Sequence, residues 1–388
     1  MNFDLSDEQK MLQSVLRKFV NNEIRGTYAR NLDNDPEKYP DEVMWNKLTD
    51  LGIWASAIPE EYGGTGGSII DDVIIVEELS RGSSVFGIVL TAVVGLGART
   101  IIFNGSKEQK QYFLPKVAEG KMKFAFALTE PGGGTDVLGA LKTSAVPTNG
   151  GYVINGQKVF ISGAHKADYL ITVAKTDFAT EKKAKSLTVF IIDAKSKGIT
   201  IRKLDKFSMK GISACEIFFE DVFVPKEAIL GEINNGWYHI LKSLNHERIV
   251  VAALSNGIGM AALEDAVDYA KERQAFGRPI GQFQAIQHKI ADSLTELELS
   301  RLITYKAAWL LENGLPCNVE ATMAKMVSSE MATKVSARGL DILAGYGVMM
   351  EYDMQRYFRD ARQATFAPIS NEMVRNYLAE SLGLPKSY

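Results

Sequence analysis

The chain has 388 residues, enough to bury a large core in one large domain or two to three coupled ones. Apolar residues make up 46% and charged residues 23%, an ordinary balance for a globular protein, and the formal net charge of -3 argues against the basic excess of a nucleic-acid binder. Two cysteines, Cys215 and Cys317, cannot build a disulfide framework, and four histidines without ligand spacing point to no metal site.

The polar segment from Met1 to Asp7 runs straight into a helical pattern, so a signal peptide is not expected. No run of 18 or more apolar residues is found, so no membrane span is expected either, and a reducing cytoplasm is the expected setting. Ser6 with Gln9 three residues on is a capping-box signature, followed by Met11, Leu12, Val15, Leu16, Phe19 and Val20 at helical spacing. Pro59 to Gly67 carries four glycines and reads as a loop, and helical patterns resume from about Ile69 to Ala118.

The period then changes. Asn149-Gly150 and Asn155-Gly156 read as turn dipeptides on either side of Tyr152-Val153-Ile154. Apolar runs follow at 169–173, 186–192 and 217–224, which together predict an antiparallel sheet or small barrel over about 121–230. Helical patterns return over 237–274, 283–313 and 319–343, and the first is apolar on most faces, as a helix in the middle of a bundle or at a subunit interface would be.

Three segments carry chemistry. Leu128-Thr129-Glu130-Pro131-Gly132-Gly133-Gly134-Thr135-Asp136 joins hydroxyls to a glycine-rich turn whose backbone N–H groups can approach a ligand closely, although a plain helix-to-strand turn reads equally well. Arg273-Gln274-Ala275-Phe276-Gly277 with Phe283-Gln284 offers a guanidinium fork for pyrophosphate and aromatic faces for a planar ring, or an exposed Arg and a core Phe. Asp341 to Gly347, followed by Arg356-Tyr357-Phe358-Arg359-Asp360, marks a helix end or a close backbone approach.

In this order and at these separations the motifs resemble the acyl-CoA dehydrogenase family over essentially the whole chain, with further matches at Glu77-Glu78-Leu79, Asn155-Gly156-Gln157-Lys158, 215–222 and Leu382-Gly383-Leu384-Pro385. The resemblance implies an α+β chain: an N-terminal helical domain (1–120), a middle antiparallel, barrel-like β domain (121–230) and a C-terminal four-helix bundle (231–388), usually in a homotetramer. It implies FAD as cofactor, with Phe126, Leu128, Thr129, Gly134 and Thr135 along the flavin ring and phosphates and Phe160 and Ser162 beside the isoalloxazine. Arg273, Phe276, Phe283 and Gln284 would hold the ADP half of an FAD bound mainly to a neighbouring subunit, Asp341 and Gly345 would meet the same FAD, and Ser370 and Glu372 would touch the cofactor near the C-terminal loop. Thr135, Asn245 and Arg248 match positions that contact the CoA thioester, and an electron-transferring flavoprotein is the implied electron partner.

The implied reaction removes an α-proton from a short, branched or alicyclic acyl-CoA and passes a β-hydride to the flavin, which requires a desolvated carboxylate as base. Many members place that glutamate in the loop after the Arg-Asp-Ala segment, where this chain has Pro368. Isovaleryl-CoA and long-chain types carry it on a bundle helix just before an arginine, where this chain has Asn245-His246-Glu247-Arg248. Helical spacing puts Glu247 on the face of Val251, Leu254 and Ile258, the other reading being a solvated helix-end glutamate paired with Arg248. Pro368 also lacks the N–H that polarises the thioester carbonyl in the family. The same scaffold therefore also fits enoyl-CoA reduction, 1,4-dehydrogenation of a cyclic thioester, desulfination, or a catalytically silent flavoprotein.

Overall fold

The computed structural model describes residues 4–35 and 37–386, so the first three residues of the polar N-terminal segment lie outside it. Ser6 caps α1 (Asp7–Phe19) through both bonds of the capping box with Gln9. Then come α2 (Thr27–Asn34), α3 (Glu42–Asp50), α4 (Ile69–Gly82), α5 (Ser84–Leu90), α6 (Arg99–Asn104) and α7 (Lys107–Ala118). A π-helical stretch, Thr91–Ala98, joins α5 to α6, so residues 84–104 form one continuous helical run.

The β region is a single eight-stranded sheet. Its strands are β1 (Phe124–Ala127), β2 (Ser144–Thr148), β3 (Gly151–Ser162), β4 (Tyr169–Lys175), β5 (Leu187–Asp193), β6 (Ile199–Leu204), β7 (Ala214–Pro225) and β8 (Ile229–Leu230), with the short helix α8 (Val137–Ala140) after β1. The order is β6-β7-β3-β2-β4-β5-β8, with β1 on β4. Most pairs are antiparallel, but β1–β4 and β2–β4 are parallel. Asn149-Gly150 is the expected hairpin turn, closed by Thr148 opposite Gly151. Asn155-Gly156 is not a turn: β3 runs through it, and the register against β7 slips between Ile154 and Gly156. The dipeptide forms a β-bulge because Asn155 exchanges side-chain bonds with Asp221 on β7 (3.0 and 2.9 Å) and Gly156 takes φ 152°, with no room for a Cβ against Thr143.

The last part comprises α9 (Gly236–Leu241), α10 (Leu244–Glu272), the hairpin β9 (Gln274–Ala275) and β10 (Arg278–Pro279), then α11 (Gln284–Glu312), α12 (Asn318–Leu343), α13 (Met354–Gln363) and α14 (Asn371–Ser381). The α10 helix packs against α4, α11 and α12. Its Gly257 faces α4 so closely that a Cβ would sit 2.4 Å from the Glu77 carbonyl oxygen. The 84–104 run and α10 are long and apolar enough to cross a membrane by length and composition, a property that counting uninterrupted apolar residues does not register. Both are core helices here, with 83% and 89% of their most apolar windows buried. Both cysteines are buried free thiols.

Candidate active site

Glu247 lies in the first turn of α10, and the stripe below it, Val251, Leu254 and Ile258, is buried. Glu247 is itself half-buried. Burial pushes its pKa up to about 7 against the opposing pull of the Arg248 guanidinium. Arg248 forms no ion pair with it. The guanidinium instead reaches Asn245 Oδ1 (3.4 Å) and stands 6.0 Å from the Tyr377 ring of α14. Asn245 in turn donates to Asn318 Oδ1 at 2.5 Å. Asn245, Glu247 and Arg248 therefore share one end of the bundle.

The residue between them, His246, is buried, and its Nε2 lies 2.9 Å from Asp72 of α4. Asp72 also pairs with Arg99 of α6. Burial works against the Asp72 charge, but Arg99 and His246 outweigh it and hold the carboxyl low, while burial pushes the His246 imidazole below its ordinary range. Three elements are thus tied together one residue from Glu247. Nothing near His246 in the sequence signals this, because Asp72 and Arg99 sit in helical stretches 174 and 147 positions away.

The glycine loop after β1 is open: Gly134 and Thr135 are exposed, Thr129 and Leu128 half-buried, and Phe126 lies at the core edge. Under the loop a fully buried Lys158 donates to Leu128 O (3.0 Å) and Glu130 Oε1 (2.8 Å). Glu130 also accepts from Lys142 N (2.6 Å) and Thr143 N (3.0 Å). Burial raises the Glu130 carboxyl, but Lys158 and these bonds overcome it and keep the group ionised. On the neighbouring strand Phe160 is 67% exposed at φ 61°, an apolar ring held outward, and Ser162 is half-buried two residues on.

The second group of expected residues lies at the far end of α10, about 37 Å from Glu247 at 1.5 Å per residue. Phe276 and Gly277 form the tip of the β9–β10 hairpin, both at positive φ, and Phe276 is 93% exposed. Its ring meets that of Phe283 edge-on at 6.1 Å, with Arg278 over Phe283 and Gln284 exposed beside it. Arg273 faces the Tyr346 ring at 5.7 Å, and both line a cavity of about 470 Å³ with Tyr269, Ala344 and Gly345. Asp341 pairs with Lys289. Near the other end again, Ser370 caps α14 (3.3 Å to Met373 N) with Glu372 exposed in its first turn. Glu247 and the Arg273–Gln284 group therefore lie at opposite ends of the central helix, and one chain does not bring them together.

Ala344 has φ 49° and ψ -126°, a conformation that favours glycine. Ala344→Gly should stabilise the protein by about 1 kcal/mol, read as a raised urea midpoint; an unchanged or lowered midpoint would contradict the strain.

Comparison with known proteins gives one answer along the chain. Models of the N-terminal, middle and C-terminal domains of acyl-CoA dehydrogenase match residues 6–121, 125–222 and 234–383. The caffeyl-CoA reductase-Etf complex subunit CarC of Acetobacterium woodii is 37% identical, the match spanning 93% of this chain and 94% of that protein. The structure of butyryl-CoA dehydrogenase from Megasphaera elsdenii superposes with a TM-score of 0.93 at 34% identity over 99% of this chain and 100% of that one. A complex of PigA with FAD and proline superposes at 0.92 with 27% identity, covering 99% and 100%.

Proposed function

The chain belongs to the acyl-CoA dehydrogenase family, an FAD-dependent oxidoreductase family, and from that premise we propose that it moves a proton and a hydride between the α and β carbons of a short, branched or alicyclic acyl-CoA, with Glu247 handling the proton. The observation that carries this reading is the unpaired Glu247 carboxylate with a pKa near 7, a value at which it can both take and return a proton at neutral pH. Asn245 and Arg248 beside it, together with the exposed Thr135, are the groups that would hold the thioester.

The residues suit FAD. An open glycine loop, the outward Phe160, Ser162 and the capped Ser370–Glu372 turn would form one half-site, and Arg273, Phe276, Phe283 and Gln284 the other. FAD bound there would supply the hydride acceptor. Since the Arg273–Gln284 group stands about 37 Å from Glu247 along α10, it would serve the cofactor of a neighbouring subunit. Leu294, Leu299, Leu302 and Trp309 of α11, each more than half exposed, give the apolar face that a homotetramer would cover.

A second reading, reduction of an enoyl-CoA with electrons from an electron-transferring flavoprotein, is favoured by Pro368, which removes a backbone donor from the loop, and by the likeness to the caffeyl-CoA reductase-Etf complex subunit. The same Glu247 would then deliver the proton to Cα. Mixing the yellow protein anaerobically with straight, branched and alicyclic acyl-CoAs, and the reduced protein with the matching enoyl-CoAs, separates the two. Bleaching by one saturated subclass supports dehydrogenation, and recolouring only by enoyl-CoAs supports reduction. No change with any thioester points to desulfination or a silent homologue and removes the proposal.

A further inference from the structure

Lys325 sits in the middle of α12 with its side chain fully buried. A buried ammonium persists only where its donors are met. The acceptors of Lys325 are three neutral oxygens, two from one loop and one from the helix start that follows it: Ile369 O at 2.5 Å, Thr365 O at 3.4 Å and Asn371 Oδ1 at 2.8 Å. That loop joins α13 to α14 and contains Pro368. Asn371 is itself pinned, donating to Ser329 Oγ (3.1 Å) and Glu330 Oε1 (3.3 Å), and its backbone N–H closes the loop onto Thr365 O (2.9 Å).

The consequence is directional. Among the described residues neither the Ile369 N–H nor the Ser370 N–H has an acceptor, so they are the unspent backbone donors next to Pro368. The Ile369–Ser370 peptide is trans, and a planar trans peptide points its C=O and N–H in opposite directions. By drawing Ile369 O into the core, Lys325 turns the Ser370 N–H outward, away from α12. We propose that Lys325 is a positioning residue that holds the carbonyls around Pro368 and so aims the remaining loop N–H groups at the thioester carbonyl, replacing the donor that proline lacks. This rests on the reading of Glu247 and the loop as the thioester site.

The charged groups around Lys325 come from three elements: Glu330 on α12 and Glu372 on α14, which favour the ammonium, and Arg248 on α10, which opposes it. Burial outweighs them and pulls the pKa down to about 8. Below that pH three N–H groups serve three acceptors. Above it the amine has two N–H groups and a lone pair, so one oxygen is released and the loop loosens.

Hydrogen exchange of residues 364–371 in FAD-loaded protein tests this without reference to catalysis. In the wild type the segment should open above pH 8 more than the intrinsic base catalysis of exchange explains. In Lys325→Met it should exchange about 10-fold faster at pH 7 with the bundle helices unchanged, whereas Lys325→Arg should stay protected and lose the transition near pH 8. Flavin reduction by the best thioester should fall about 100-fold in Lys325→Met, the scale of one lost oxyanion donor, with thioester Kd within about 3-fold. Wild-type exchange that shows no change across pH 8, a Met variant as protected as wild type, or a rate loss matched by weaker binding would each overturn the proposal. Should no thioester reduce the flavin, the thioester reading falls by itself and the exchange arm still decides whether Lys325 holds the loop. If Lys325→Met does not fold, the wild-type pH series decides alone.

Discussion

Glu247→Gln should lower the rate of flavin reduction by about three orders of magnitude while the protein still binds FAD and thioester. A positioned proton-transfer group contributes typically 10²–10⁴-fold, and glutamine keeps the shape but holds no transferable proton. The wild-type rate follows the ionisation: dehydrogenation rises as pH passes through about 7, and enoyl-CoA reduction, which needs the acid, falls there. A separate readout comes from stability. An acid whose folded pKa of about 7 lies above its ordinary 4.5 binds more protons folded than unfolded, so the protein loses stability as pH rises from 4.5 through 7. Glutamine escapes that loss, making the variant more stable than wild type at pH 8 by about 2–3 kcal/mol, with the gap closing below pH 4.5. Denaturant midpoints at pH 4, 6 and 8 measure it. A variant that reduces flavin at the wild-type rate removes Glu247 as the base, and one with no stability gain at pH 8 removes the desolvation that makes it a base.

Much of this arrangement is legible in the sequence because it is local. The Ser6–Gln9 capping box, the Asn149-Gly150 hairpin and the stripe Glu247–Val251–Leu254–Ile258 each depend on residues within a few positions, where spacing alone fixes geometry. Asn155-Gly156 shows the limit: the dipeptide has the same turn chemistry as Asn149-Gly150, but Asp221 on a distant strand captures Asn155 and converts a turn into a bulge. The buried charges are the other blind spot. Lys158, Lys325 and Asp72 carry no local signal of burial, since charged residues are seldom buried, and nothing near them in sequence names Glu130, Ile369 or Arg99 as the partner. The expectation that Arg273, Phe276, Phe283 and Gln284 serve a neighbouring subunit's FAD likewise comes only from the family resemblance, because periodicity reports a helix and not what docks at its ends.

Lys158→Met should be the most damaging single change outside the proton-transfer step, destabilising the protein by about 3–5 kcal/mol at pH 7 and emptying it of FAD. The magnitude follows from what is left behind. Glu130 is buried with its carboxylate committed to Lys142 N and Thr143 N, and removing the ammonium paired with it strands a charge rather than deleting an interaction. Leu128 O loses its donor in the same step, and both acceptors belong to the loop whose Thr129–Thr135 backbone would border the flavin. Two dependences separate this from a generic core defect. The loss should shrink as pH falls, because with Lys158 gone burial is left to raise the Glu130 carboxyl and its protonation removes the stranded charge. It should also shrink in Lys158→Met/Glu130→Gln, which keeps the amide oxygen for Thr143 N and removes the stranded charge. Denaturant midpoints and bound-FAD absorbance of the wild type and both variants at pH 5 and 7 give the comparison. A single variant no less stable than wild type, or a double variant no better than the single one, would show that the pair is dispensable and that the loop is shaped by its glycines alone.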